Sequence, residues 1–166
     1  MRRFAFEAEI YETLSCIPMA VRAKLDRAAV KIALEQWLAL GMAERRWLCE
    51  HPTATAQEVE SFAESVCRLV AQHSGAAPPR LSSEQQQSAF ANAQLPERVA
   101  ANARLCGFEL DAAAWARLDD DERYALAKLG GGQRVRRNFA AALKEFLGAD
   151  AERREDQPQD QHSDQG

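Results

Sequence analysis

Val30-Lys31-Ile32-Ala33-Leu34-Glu35-Gln36-Trp37 and Phe108-Glu109-Leu110-Asp111-Ala112-Ala113-Ala114-Trp115 stand 78 residues apart, and reading them as a pair decides the fold. Outward from these stretches, the same offset sets Ile17 against Leu95, Pro18 against Pro96, Val21 against Val99 and Leu40 against Leu118. It also matches Glu44 with Glu122, Arg45 with Arg123 and Leu48 with Leu126. One residue is then dropped, after which Phe62, Val66, Leu69 and Val70 fall against Phe139, Leu143, Phe146 and Leu147. Recurrence over about fifty residues is the scale of a supersecondary unit that must share a core with its neighbour to bury its apolar face. The expectation is an all-α fold: a single compact helical domain over residues 4–147, built from two pseudo-symmetric repeats, 17–73 and 95–147, with a connector over 74–94.

Local signals place the helices. Pro18 suits a helix start, and Ile17, Val21 and Leu25 then stack on one face while Arg22, Lys24, Asp26 and Arg27 take the other. Pro96 opens the matching helix, which closes at Gly107, a residue suited to the position after a helix end. Residues 30–32 and 108–110 alternate apolar, charged, apolar, the pattern of very short extended segments, and pairing of the two with each other is one arrangement open to them. Asp111 is placed to cap the helix that follows, and Ala33, its counterpart, is not. Asp119 with Glu122 and Thr55 with Glu58 have capping-box spacing, so Glu44 and Glu122 read as cap residues, and Arg45 and Arg123 as partners of nearby carboxylates. Val59, Phe62, Val66, Leu69 and Val70 keep helical spacing, as do Val135, Phe139, Leu143 and Phe146. Trp37 and Trp115 read as core anchors. A polar helix from Ser83 is expected in the connector, and residues 149–166, rich in Asp, Glu, Gln and Arg, have the composition of a disordered acidic tail.

Composition narrows function. The chain of 166 residues has a formal charge of −4, all of which the tail supplies, so the body is neutral and has no basic stripe for gripping nucleic acid. Glu7, Glu9 and Glu12 interrupt the opening segment, which lacks the apolar stretch of a signal peptide, and no apolar run approaches the roughly 20 residues that cross a bilayer. A cytoplasmic protein without membrane contact is expected. Cys16, Cys49, Cys67 and Cys106 lack metal-site spacing and read as buried free thiols. His51, His73 and His162 have no nucleophile or carboxylate at triad spacing, so no intrinsic catalysis is expected. Gly130-Gly131-Gly132-Gln133 before Arg134, Arg136 and Arg137 is a weak anion-site candidate, set against a hinge with a solvated basic face.

Phe6-Glu7-Ala8, the block Leu14-Ser15-Cys16-Ile17-Pro18-Met19-Ala20-Val21-Arg22-Ala23-Lys24-Leu25-Asp26 and the run Val30 to Trp37 together resemble the small nitrate reductase-associated proteins. The likeness spans roughly residues 4 to 147. Members carry Cys-Gly just before the short extended segment, where this chain has Ala28-Ala29, so the resemblance brings no second thiol there. It implies an accessory role for assimilatory, molybdenum-dependent nitrate reductase, acting by protein–protein contact in maturation or as a small subunit. The implied partner is the reductase catalytic subunit, and neither cofactor nor active-site residue is assigned. The partner surface is expected in the groove between the halves, near Cys16, Pro18, Arg22 and Lys24. Two alternatives stand beside it: a thiol-based regulator of nitrogen metabolism using Cys16, and a small anion or cofactor carrier using Arg134, Arg136 and Arg137.

Overall fold

The computed structural model describes residues 2–82, 93–133 and 137–155, and among these it is helical, with nine α-helices and no strand. After a 3-10 turn (Ala5–Glu7) come α1 (Ala8–Thr13), α2 (Met19–Arg27), α3 (Leu34–Ala39), α4 (Met42–Glu50) and α5 (Ala56–Ser74). The second half supplies α6 (Glu97–Leu105), α7 (Ala112–Arg117), α8 (Asp120–Gly130) and α9 (Arg137–Glu155). The starts of α6, α7 and α8 each fall 78 residues after those of α2, α3 and α4. The connector helix expected from Ser83 lies outside the described residues. So do residues 156–166 of the expected tail, whose first residues are the end of α9.

The caps explain where the helices begin. Thr55 Oγ1 accepts from the Glu58 N–H, and the Glu58 carboxylate accepts in return from the Thr55 N–H at 2.9 Å. Asp119 and Glu122 make the same reciprocal pair at 2.9 and 3.0 Å. Asp111 accepts from the Ala114 N–H at 2.7 Å, each bond satisfying a donor that the first helical turn leaves open. At Ala33 the missing cap is partly made good by Gln36, whose side-chain oxygen accepts the Ala33 N–H at 2.9 Å. Pro18 is the residue before the first helical one, a position out from the expected start, and its fixed φ suits both places.

Two apolar clusters form, one around each of the expected anchors. Trp37 is 0% exposed and packs with Leu14, Ile17, Val21, Leu25, Phe62 and Val66; Trp115 is 1% exposed and packs with Val99, Leu118, Leu126, Phe139 and Leu143. Helix α2 serves both. Val21 and Leu25 lie in the first cluster, Met19 and Ala23 in the second, so this helix is the wall the two halves share. The chain before it also crosses over: Phe4 is buried in the second cluster, edge-on to Phe146, while Glu145 of α9 accepts the N–H groups of Ala5 and Phe6.

The extended segments pair otherwise than with each other. Val30 forms an isolated antiparallel bridge with Arg80, the Lys31 N–H donates to Pro79 O at 3.1 Å and the Leu81 N–H to Ala29 O at 2.8 Å. Residues 79–81 thus take the backbone groups of residues 29–31 that a pairing with residues 108–110 would have used. The connector's prolines lack an N–H, but their carbonyls still accept.

Candidate docking face and interhelical groove

The expected partner residues have unequal access to solvent. Pro18 is buried, Cys16 and Arg22 are half-buried, and Lys24 is only 8% exposed. The Lys24 ammonium donates to the carbonyls of Leu48 (3.3 Å), Cys49 (2.6 Å) and His51 (2.6 Å), where α4 ends with its last carbonyls unpaired. A cation there also suits the negative end of the helix dipole, although burial draws its pKa below the usual lysine value. The sequence put Lys24 on the solvated side of its helix; the structure corrects this, because its acceptors lie on a helix 24 to 27 residues away. Asn102, at the 78-residue offset, does the equivalent work for α8: buried at 7% exposure, its amide donates to Gly130 O at 2.7 Å and Gly132 O at 3.1 Å. Sequence reading missed this residue because Lys and Asn do not score as a match.

Other polar residues of the same block join elements. Asp26 Oδ2 accepts from Tyr124 Oη at 2.6 Å and pairs with Lys128 Nζ at 2.7 Å, fixing α2 to α8. Glu7 is buried at the start of α2, where both its oxygens accept the Met19 N–H (3.0 and 3.1 Å) and Oε1 also accepts the Tyr11 hydroxyl. Burial pushes the Glu7 carboxyl above the usual carboxylate range and outweighs the lowering effect of those donors. Burial, with the Glu7 hydrogen bond and charge, likewise raises the Tyr11 phenol. Leu14 sits in the left-handed region at φ 47°, where its carbonyl accepts from Trp37 Nε1 and Arg45 Nη1, both at 2.8 Å. Arg45 thus binds a carbonyl rather than the carboxylate expected for it, whereas Arg123 does pair with Asp120 at 2.6 Å. Glu44 accepts the Gly41 N–H, as a cap residue should, and also meets His73 at 2.9 Å.

The glycine run is packed. A Cβ added at Gly130 meets the Phe139 ring at 2.4 Å, and one added at Gly131 meets Ala127 O at 2.6 Å, so both glycines permit close approach. Arg134 and Arg136 lie outside the described residues; Arg137 is exposed at the start of α9. All four cysteines are free, but only Cys49 is buried as expected, its thiol pushed up by that burial, while Cys16, Cys67 and Cys106 are half-buried. Among the described residues no group of three or more His, Cys, Asp or Glu is placed to hold a metal ion, and no helix is long and apolar enough to cross a membrane.

Two surface features remain. A groove of about 310 Å³ between α2 and α8 is lined by Arg22, Asp26, Lys31, Tyr124 and Lys128 over an apolar wall. Elsewhere, four of the five large hydrophobic side chains that stand exposed among the described residues, Leu34, Leu38, Met42 and Trp47, fall within fourteen residues of α3 and α4. Trp47 is 44% exposed, unlike the two buried tryptophans, and forms a wall of an apolar hollow of about 320 Å³ with Ala43 and Leu69, rimmed by Glu44 and Arg68.

These features define an all-α protein with exposed apolar side chains on α3 and α4. The chain belongs to the conserved nitrate reductase-associated protein family, whose family model matches residues 3–146. No curated protein and no solved structure matches it.

Proposed function

We propose that this protein serves nitrate reductase as an accessory protein that docks on the catalytic subunit, in maturation or as a small subunit, and performs no chemistry of its own. Family membership supports the association. The observation that carries the docking mode is the exposed Trp47 beside its apolar hollow, with Leu34, Leu38 and Met42 also exposed on the same stretch of chain, α3 and α4. A folded chain has no internal reason to leave a tryptophan half in water beside an apolar hollow, and such residues are the usual anchors of protein interfaces. Leu34 and Leu38 lie one turn apart on one face of α3, so a partner can cover both with a single surface.

Capture of the purified reductase subunit on the immobilised protein tests this. Trp47→Ala should weaken capture by roughly thirtyfold, the loss of an anchor contributing about 2 kcal/mol, with the helical circular dichroism retained and the protein still folded at the assay temperature. Undiminished capture refutes the proposed face. Arg22→Ala in the same assay separates it from the groove beside Cys16 and Arg22, the surface expected from the sequence.

A further inference from the structure

The groove between α2 and α8 has a charge pattern that the docking face does not explain. We propose that it binds a small organic phosphate monoester. Arg22 and Asp26 stand one turn apart on the same face of α2. Asp26 is engaged by Tyr124 and Lys128, which leaves that carboxylate and the Lys128 ammonium mutually neutralised. Arg22 uses only Nε, on the Ile17 carbonyl at 3.2 Å, and among the described residues no carboxylate pairs with its terminal nitrogens. The Lys31 side chain, which also lines the groove, likewise has no described acid paired with it, while its backbone N–H is held by Pro79 O. Arg22, whose charge also acts on the buried Glu7 carboxyl without a direct ion pair, and Lys31 therefore bring two positive charges to one cavity.

Both the size and the wall of that cavity specify the ligand further. About 310 Å³ is at the lower end of small-molecule sites and admits a compact molecule. A phosphate monoester carries about −1.5 to −2 charges at pH 7, matching Arg22 and Lys31, and its oxygens suit the guanidinium fork. Ile17, Leu25, Val30 and Ile32 supply an apolar wall for the organic part, which free phosphate lacks.

Calorimetry and thermal unfolding of the full chain at low ionic strength, with phenyl phosphate, inorganic phosphate and benzoate as probes, test the proposal. Phenyl phosphate should bind and raise Tm, since a ligand held only by the folded state stabilises it. Inorganic phosphate and benzoate should each bind about tenfold more weakly, lacking the apolar body or the second charge. Arg22→Gln and Lys31→Gln should each weaken phenyl phosphate about tenfold, and Lys31 is exposed, so its variant keeps the fold even where Arg22→Gln does not. Absence of binding, equal affinity for the three probes, or affinity indifferent to Lys31→Gln overturns the assignment. None of these outcomes bears on capture of the reductase.

Discussion

Ala29 offers a measurement of how far this chain departs from its own second half. It follows α2 with φ 53°, in the left-handed region, and its counterpart 78 residues on is Gly107, with φ 82°. An L-residue in that region costs about 1–2 kcal/mol, whereas glycine adopts it freely and forfeits about 0.5–1 kcal/mol in chain entropy. Ala29 is half-buried and its backbone is fixed by bonds to Asp26 O and from Leu81, so the substitution has little else to disturb. Ala29→Gly should therefore raise stability by about 0.5–1 kcal/mol, a Tm increase of roughly 2–4 °C at the upper end for a chain of this size. Gly107→Ala is the complementary change. A Cβ there meets nothing within 4 Å, so any loss is the backbone term alone, and a destabilisation of about 1 kcal/mol is expected. Urea unfolding with a common m-value measures both. Should Ala29→Gly lower stability, or Gly107→Ala leave it unchanged, the assignment of left-handed strain at these helix ends is wrong.

Other perturbations separate joinery from surface. Lys24→Met keeps the stem but leaves the carbonyls at the end of α4 without their cation, and should cost about 2–3 kcal/mol in chemical unfolding, while Lys31→Met stays within about 0.5 kcal/mol; equal effects would place Lys24 in solvent. Gly130→Ala drives a methyl into the fully buried Phe139 ring and should destabilise by about 1–3 kcal/mol, whereas Gly148→Ala, which has room, should stabilise by up to about 1 kcal/mol. Two losses of the same size would show that the Phe139 ring contact is not the difference. For Glu7, the folded protein holds the carboxyl proton more tightly than the unfolded chain does. Its contribution is thus full below the ordinary value of 4.5 and is lost as pH rises through the raised one. The stability of the wild type relative to Glu7→Gln should accordingly fall over that window, and a flat or rising difference contradicts the buried, proton-retaining carboxyl.

What the sequence reveals here is what short range decides. The caps at Thr55, Asp111 and Asp119 use spacings of three residues, and the burial of Trp37 and Trp115 follows from apolar positions at helical intervals around them. Lys24 could not be read in this way. Its acceptors belong to another helix, and a cation among polar neighbours has the pattern of a wet face whether or not it turns inward. Trp47 poses the opposite problem, since nothing local marks one tryptophan as exposed and two as buried; Ala125, at the 78-residue offset, is the one hint that the position is not common to both halves. The groove needed tertiary structure altogether, because Arg22, Lys31 and Lys128 come from three separate segments that only the docking of α8 on α2 brings together.

The crossing of residues 2–6 to α8 and α9 sets the order in which this chain can mature. Arg2 pairs with Asp119 and Glu122, and Ala5 and Phe6 hand their amides to Glu145, partners that leave the ribosome more than a hundred residues later. Until then Phe4 and Phe6 have no Phe146 to cover them. The nascent chain thus carries these apolar rings uncovered until α9 is made, and that helix acts as the latch that closes over them.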